Sequence, residues 1–449
     1  MRAAERASGL SERELMQRAG QGAAEWVWRV GAGRPVTVLC GPGNNGGDGY
    51  VIAEFLRRRG LDIAVVAPLA PASETARTAR GAYGGAVSPA LSGRHAPVLV
   101  DALFGFGLTR PVGGVFADLR EQARRSHEYL IAIDVPSGVD CDSGDWLGAP
   151  FAVDLTLALG AWKRAHWLMP VCAAMGARKL VDIGLDLPQS PTRVSPRPRL
   201  RAPAPDSHKY RRGLLAIVAG DMPGAPTLAG EAAMRAGAGY VKLASNHSHP
   251  DPPAELVIER DASALLSDER VGAALIGPGL GRDARAIERL AAVLDSGKPA
   301  VIDADALHLL DPDVLEGVDC SRLLLTPHEG ELAAVCKVFA IDATTKSAQA
   351  TGLRDATGVT VLAKGPDTLI APCDGGLVFF RGASSWLSAA GTGDVLAGIA
   401  ASRLAGHGDP ARAAEEAVWL HGEAARIAGP AFTAGELARA VGLSLAAFL

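Results

Sequence analysis

The residues of this chain best suited to chemistry sit in short, glycine-rich stretches. Residues 41–50 read GPGNNGGDGY, and Gly41, Gly43 and Gly46 have the spacing G-x-G-x-x-G directly after the apolar run 36–40. Glycines so placed open backbone amides to a ligand, and the spacing is that of a dinucleotide-binding turn. Two features argue against a bound dinucleotide cofactor. The next apolar run reads IAVVAPL over 63–69, without the acidic residue that would hold a ribose. Asp48, at the start of a helix expected near Tyr50, would meet a pyrophosphate with negative charge. No G-K-[ST] follows, so the stretch is not a P-loop. It offers amides together with Asn44, Asn45 and Asp48. DALFGFG at 101–107 and DVPSGVD at 134–140 bring similar chemistry; each aspartate either joins a site or merely caps its turn.

A sharper signal lies in the second half. Ala390-Gly391-Thr392-Gly393-Asp394 precedes the helical run VLAGIAASRL. Glycines before a helix leave its first amides free, and the helix dipole favours an anion there. A carboxylate in that place would repel a resting phosphate, so Asp394 needs a role. Either it is a general base on a substrate hydroxyl while the amides hold a transferring phosphoryl group, or it caps the helix. GPGLG at 277–281, DADA at 303–306, TPHEGE at 326–331 and KGPDT at 364–368 follow apolar runs of their own.

Such loops need a scaffold that delivers them to one edge. Apolar runs at 36–40, 62–67, 98–101, 130–134 and 154–159 alternate with helical stretches such as 50–59 and 115–126. This alternation predicts a parallel sheet with helices on both faces, whose strand carboxyl ends share one ligand-binding edge. Ser11-Glu12-Arg13-Glu14 has capping-box form, and Leu15, Ala19, Ala23, Trp26 and Val30 follow at helical spacing. A second alternation has runs at 214–219, 240–244, 273–277, 299–303, 322–326 and 359–363. Helices near 394–404, 410–428 and 433–447 close the chain, the last docking the apolar tail VGLSLAAFL. Between the halves six prolines fall from Pro188 to Pro205, interleaved with Arg193, Arg197, Arg199 and Arg201, which predicts an extended linker with a solvated arginine face. The expected organisation is α/β in two domains, 1–190 and 206–449, joined by a linker at 191–205.

Composition sets the class. The 449 residues are 48% hydrophobic and 21% charged, with a net charge of −4, so neither nucleic acid nor an anionic membrane is an expected partner. Six scattered cysteines lack metal-ligand spacing, and a reducing, cytoplasmic setting is expected. The first residues lack the apolar core of a signal peptide, and no apolar run reaches the ~18 residues that span a bilayer. His247 and His249 have H-x-H form without a third ligand nearby and are expected in a polar loop. His421 is expected to pack within its helix. Trp162 and Trp167 flank Lys163 and either close over a ring or fill the core.

GPGNNGGDG, DALFGFG and IDVPSGVD, with Lys163 following, resemble the YjeF N-terminal family of NAD(P)H-hydrate epimerases, from about residue 3 to 190. The resemblance implies a Rossmann-like three-layer sandwich that interconverts the R and S forms of hydrated NADH and NADPH (NADHX and NADPHX). By it, Asn45, Asp101 and Ser137 hold a potassium ion. Asn44, Asn45, Gly46, Gly47 and Asp48 line the substrate, as do Gly105, Phe106, Gly107, Leu108, Thr109, Arg110 and Pro111. Asp134 is the acid/base candidate. The glycine-rich loop then serves a dinucleotide as substrate rather than as cofactor. The segment before the first capping box is shorter than is usual in that family.

The second half, from about 206 to 449, resembles the ribokinase-like YjeF C-terminal family, the ADP/ATP-dependent NAD(P)H-hydrate dehydratases. GTGD, the four loops above and GEAAMRAGAGYVKL carry this resemblance. It implies Asp394 as base, with Ala225, Gly279 and His328 on the hydrate. Lys364, Gly365, Pro366, Asp367, Thr368 and Gly393 hold ADP or ATP, with Mg2+ carried on the nucleotide. Asp221 departs from the pattern, at a position often serine or glycine. Homo-oligomers are also implied. The alternative is a ribokinase-type small-molecule kinase with a non-catalytic N-terminal binding domain; a scaffold role in RNA processing fits the acidic balance poorly.

Overall fold

A computed structural model describes residues 2–91, 96–187, 189–249 and 252–449. The chain divides into two compact units, Met1–Gln189 and Ser190–Leu449. In the first, helices α1 (Arg2–Ala7) and α2 (Glu12–Gly31) lead into β1 (Val36–Cys40), α3 (Asn44–Arg58), β2 (Ile63–Val66) and α4 (Glu74–Ala82). Then come β3 (Val87–Ser88), β4 (Val98–Ala102), α5 (Val115–Ser126), β5 (Tyr129–Ile133), β6 (Leu155–Leu159) and β7 (Ala177–Val181). The seven strands pair in the order β3-β2-β1-β4-β5-β6-β7, all parallel.

Alternation along the strands builds the two faces. Val36, Val38, Val98 and Val100 pack with α2 and α3, whereas Leu39, Leu99 and Leu130 pack with Leu119 and Ala123 of α5. Successive strands run outward from β1 in one direction and from β4 in the other, so the ends of β1 and β4 flank a crevice. The loops after β1, β4 and β5 all open at that edge.

Helix α3 starts at Asn44, six residues before the expected start near Tyr50. Gly46, Gly47 and Gly49 therefore lie inside a helix, where glycine is ordinarily unfavourable by about 1 kcal/mol. Packing overrides propensity here. A Cβ on Gly46 would stand 1.8 Å from the carbonyl oxygen of Gly41, and one on Gly49 would stand 2.9 Å from Ala102 Cβ. Asp48 consequently sits in the second turn of α3 rather than at its start.

The second unit runs β8 (Arg193–Val194), β9 (Leu214–Val218), α6 (Gly224–Arg235), β10 (Tyr240–Ala244), β11 (Val257–Glu259), α7 (Ala262–Leu266) and β12 (Val271–Ile276). It continues through α8 (Ala284–Asp295), β13 (Ala300–Ile302), β14 (Leu323–Leu325), α9 (Glu329–Val338), α10 (Lys346–Thr357), β15 (Thr360–Ala363), β16 (Leu369–Ala371) and β17 (Val378–Phe379). Helices α11 (Thr392–His407), α12 (Pro410–Ala428) and α13 (Ala434–Ala446) close it. The strand order is β11-β10-β9-β12-β13-β14-β15-β16-β17-β8. Strands β11 to β15 are parallel and β16 runs antiparallel to both of its neighbours. Helix α11 is buried along most of its length and packs on α6, where Gly398 lets the backbones meet: a Cβ there would stand 2.2 Å from Ala229 O.

The stretch 191–205, expected as a linker, is extended but not free. Arg193 and Val194 pair with Val378 and Phe379 as the last strand of the second sheet. The Arg193 guanidinium binds Glu415, Arg197 donates to Ala447 O at 2.7 Å and lies over the Phe448 ring, and Leu200 is buried. Two of the arginines expected on a solvated face thus anchor the segment to α12 and to the chain end. Pro188 lies outside the described residues. No helix among the described residues is long and apolar enough to cross a membrane.

Candidate functional site

Each unit gathers its reactive residues at the carboxyl edge of its sheet. In the first, a cavity of about 800 Å³ is lined by residues of α1, α2 and the loops after β1 and β4. Of the expected substrate residues, Asn44, Asn45, Asp48, Gly105, Phe106, Gly107, Leu108, Thr109, Arg110 and Asp134 line it. Gly46, Gly47 and Pro111 are not in its wall. Gly46 and Gly47 are buried against Gly41 and Met16, and Pro111 is exposed.

Asp134 follows β5 and is almost wholly buried, with φ at +70°, a left-handed backbone uncommon for a residue with a side chain. Its environment fixes it completely. Oδ2 accepts from Phe106 N at 3.0 Å, and Oδ1 accepts from Leu159 N at 3.3 Å and from the Lys163 ammonium. Lys163 also donates to Leu159 O at 2.9 Å. His166 braces the turn: its Nδ1 accepts from Lys163 N and its Nε2 donates to Asp134 O, both at 2.9 Å. Burial lowers the imidazole pKa to about 4, so His166 is neutral and this tautomer persists. Strain held by so many bonds is typical of functional turns.

Asp48 shares the cavity without any hydrogen bond to its carboxyl among the described residues. Its pKa is raised well above the ordinary carboxylate range, first by burial and then by the charge of Asp134. Asp101 is fully buried. Its Oδ2 accepts from Ser137 N at 2.9 Å, and its Oδ1 from Ser137 Oγ at 2.7 Å and from Leu103 N at 3.2 Å. Burial raises its pKa too, and among the described residues it has no direct ion pair. Asn45, in the first turn of α3, donates to Ile133 O at 3.4 Å. Carboxylate, hydroxyl and amide oxygens are the donor types of a hard cation, and a monovalent one would offset the buried charge of Asp101. Among the described residues, no group of three or more His, Cys, Asp or Glu is placed to hold a metal ion.

In the second unit, Asp394 is the third residue of α11, and its carboxylate makes no hydrogen bond among the described residues. The helix is capped instead by Gly391 in a left-handed conformation, so the capping role for Asp394 falls away. Burial raises the Asp394 pKa to about 6, helped by Asp303 and Glu331 and opposed by Lys364. His421, expected to pack, does so: it is buried and neutral, with a pKa lowered to about 4 by burial, and its Nε2 donates to Thr392 O at 2.9 Å behind the helix start.

The remaining loops converge on this end. Met222 N donates to Gly279 O at 3.1 Å, and a Cβ on Gly279 would lie 3.5 Å from Ala225 Cβ, so Ala225 and Gly279 are neighbours. His328 caps α9, with Nδ1 accepting from Gly330 N and Glu331 N and its ring largely exposed. Thr368 Oγ1 donates to Gly365 O at 2.7 Å and so folds 365–368 into a tight turn, and Asp367 pairs with Lys346. Lys364 reaches Asp303 Oδ1 at 2.6 Å, and a Cβ on Gly393 would stand 3.6 Å from its Nζ.

Asp303, Glu331 and Thr326 cluster with Lys364 at this end, although sequence reasoning assigned them no individual roles. DADA and TPHEGE flagged the loops, but only the fold shows which side chains turn inward. His249 lies in a loop with polar partners, as expected, but buried there between Thr227 and Ser245. Trp167 is buried core, with Trp162 edge-on to it at 4.9 Å.

Residues 12–165 match the family model for the YjeF-related protein N-terminus, and 215–442 match that for NAD(P)H-hydrate dehydratase. The chain belongs to the bifunctional NAD(P)H-hydrate repair enzyme family. It is 32% identical to the bifunctional NAD(P)H-hydrate repair enzyme Nnr of Coxiella burnetii, over 93% of this chain and 91% of that one. Its identity to the Escherichia coli NAD(P)H-hydrate repair enzyme is also 32%, over 96% and 88%. A ribokinase-like superfamily protein of Enterococcus faecalis matches in structure with a TM-score of 0.51 at 24% identity. It covers 59% of this chain and 98% of its own, a likeness of fold. NAD(P)H-hydrate repair thus supplies the family for both units.

Proposed function

We propose that the two sites act in series: the first interconverts R- and S-NADHX or NADPHX, and the second dehydrates the S form at the expense of ADP or ATP. The observation that carries this reading is Asp394, a carboxyl with its pKa raised to about 6 and no hydrogen bond among the described residues, in the first turn of α11 beside Lys364. Hydroxide leaves the hydrated ring poorly. Asp394 takes the proton of that hydroxyl as it attacks the terminal phosphoryl group, and AMP (from ADP) or ADP (from ATP) leaves; the ester then departs as phosphate while the ring nitrogen donates its electron pair, and loss of a proton from the neighbouring ring carbon reforms NAD(P)H. Ala225, Gly279 and His328 bind the hydrate, and Lys364–Thr368 with Gly393 bind the nucleotide, whose phosphates carry Mg2+. In the first unit Asp134 moves the proton at the hydroxyl-bearing carbon's oxygen, with the hydrate seated along Asn44–Asp48 and Gly105–Arg110. A potassium ion held by Asn45, Asp101 and Ser137 would brace the three loops, and replacing K+ by choline should slow epimerisation; equal rates in choline would remove the ion from this account.

The full chain, given nucleotide, Mg2+ and either pure epimer, should regenerate reduced nicotinamide from both. Without nucleotide it should only equilibrate R with S. A kinase with a binding-only first unit would leave R at its spontaneous rate of epimerisation, which a no-enzyme control measures.

A further inference from the structure

We infer that Asp303 is a positioning residue for the second site, holding the Lys364 ammonium so that its remaining donors face the transferring phosphoryl group. The inference rests on the phosphoryl-transfer chemistry proposed for Asp394. Asp303 directly follows β13 and is 1% exposed. Its Oδ1 accepts from Lys364 Nζ at 2.6 Å and from Thr326 Oγ1 at 2.8 Å. Glu331 Oε2 is 3.8 Å from the ammonium, beyond hydrogen-bond range, and is already occupied by His328 N at 2.8 Å. Asp303 is therefore the only hydrogen-bond partner of Nζ among the described residues. An ammonium carries three N–H donors, so two remain for a ligand.

The direction of those donors follows from Gly393. The 3.6 Å separation from a Cβ built there places Nζ beside the first amides of α11, with no side chain between. A free lysine stem samples many rotamers, which a ligand would otherwise have to freeze. The buried carboxylate freezes them in advance, because separating this pair would leave a charge uncompensated in the interior. Backbone constraints fix the pair in turn: Lys364 N donates to Pro327 O at 2.8 Å, and Ala304 holds a φ of +47°. Asp303 touches no substrate itself; it preorganises a positive charge where the phosphoryl's charge develops.

The groups facing Asp394 are Asp303 and Glu331, which raise its pKa, Lys364, which lowers it, and the neutral His421 behind the helix start. In the full chain with S hydrate, nucleotide and Mg2+, Asp303→Asn should lower kcat about tenfold to a hundredfold, less than the ~10²–10³ of deleting a donor outright. KM for the hydrate should barely move. The acid limb of kcat should shift to lower pH in Asp303→Asn and to higher pH in Lys364→Met. Because one acts through the other, Asp303→Asn should add little on top of Lys364→Met. Thr326→Val leaves every charge in place and should show the same non-additivity in milder form, which serves if Asp303→Asn does not fold. Wild-type kcat in Asp303→Asn, or effects of Asp303 and Lys364 that multiply fully, would overturn the inference alone. A wild-type chain that cannot dehydrate the S hydrate would overturn it together with the proposed function.

Discussion

Burial lifts the Asp394 carboxyl to a pKa of about 6, and a base works only when ionised. Dehydration should therefore rise through about pH 6 with unit slope in log rate and level off above it. Asp394→Asn should abolish that limb and lower the rate by about 10²–10⁴ while nucleotide still binds. Asp48 carries the opposite consequence. Its pKa in the folded chain lies above the ~3.9 of an unfolded aspartate, so the folded state holds the extra proton across that interval. Stability then falls as pH rises from about 4 through the folded pKa. Asp48→Asn removes this liability, so thermal melting of the first unit should gain, and the gain should grow with pH over the same window. A melting difference that does not vary with pH would contradict it. The cost of a buried carboxyl without hydrogen-bond partners among the described residues points to a use other than stability.

At the level of elements, the glycines of the first turns of α3 are set by what lies beneath them. Gly46→Ala would drive a methyl into the carbonyl of Gly41, whereas Gly43 has open space around it. Gly46→Ala should destabilise the first unit by about 1–3 kcal/mol or more, and Gly43→Ala should melt almost unchanged. Equal effects would mean the glycines serve ligand access only. The same glycines show where the sequence was legible and where it was not. Runs such as VTVLC and LLAIV declared the central strands, because a strand buried on both faces needs apolar residues throughout. The two-residue strands β3, β8 and β17 carry too little pattern to declare anything. The start of α3 was misplaced because intrinsic propensity argues against NNGGDG as helix, and only contacts distant in sequence reverse it. Likewise Asp134 and Asp394 stood out by their motifs, but Lys163 as the partner of Asp134, and Asp303 as that of Lys364, depend on strand order. Those pairs span strand ends that no local window contains.

On the scale of the whole chain, each unit has its own buried core and its own sheet, so the activities should separate. A fragment of residues 1–189 should interconvert R and S hydrates, and one of 190–449 should dehydrate S alone. Asp134→Asn in the full chain should then stall on R and leave S turnover intact; consumption of R by 190–449 as fast as S would refute the division. Cutting at 203 rather than 190 should cost stability, since it removes β8, the Arg193–Glu415 pair and the buried Leu200. Strand β8 carries one more consequence, for the order in which the protein is made. It leaves the ribosome before every other strand of its sheet, yet its partner is β17, among the last. The first unit can finish folding while β8 waits unpaired. Only once Val378 and Phe379 emerge does β8 cover the edge of β17, a row of amides and carbonyls that would otherwise invite another chain. Synthesis halted short of those residues should release a working first unit, trailed by an unfinished sheet that degradation or aggregation would claim.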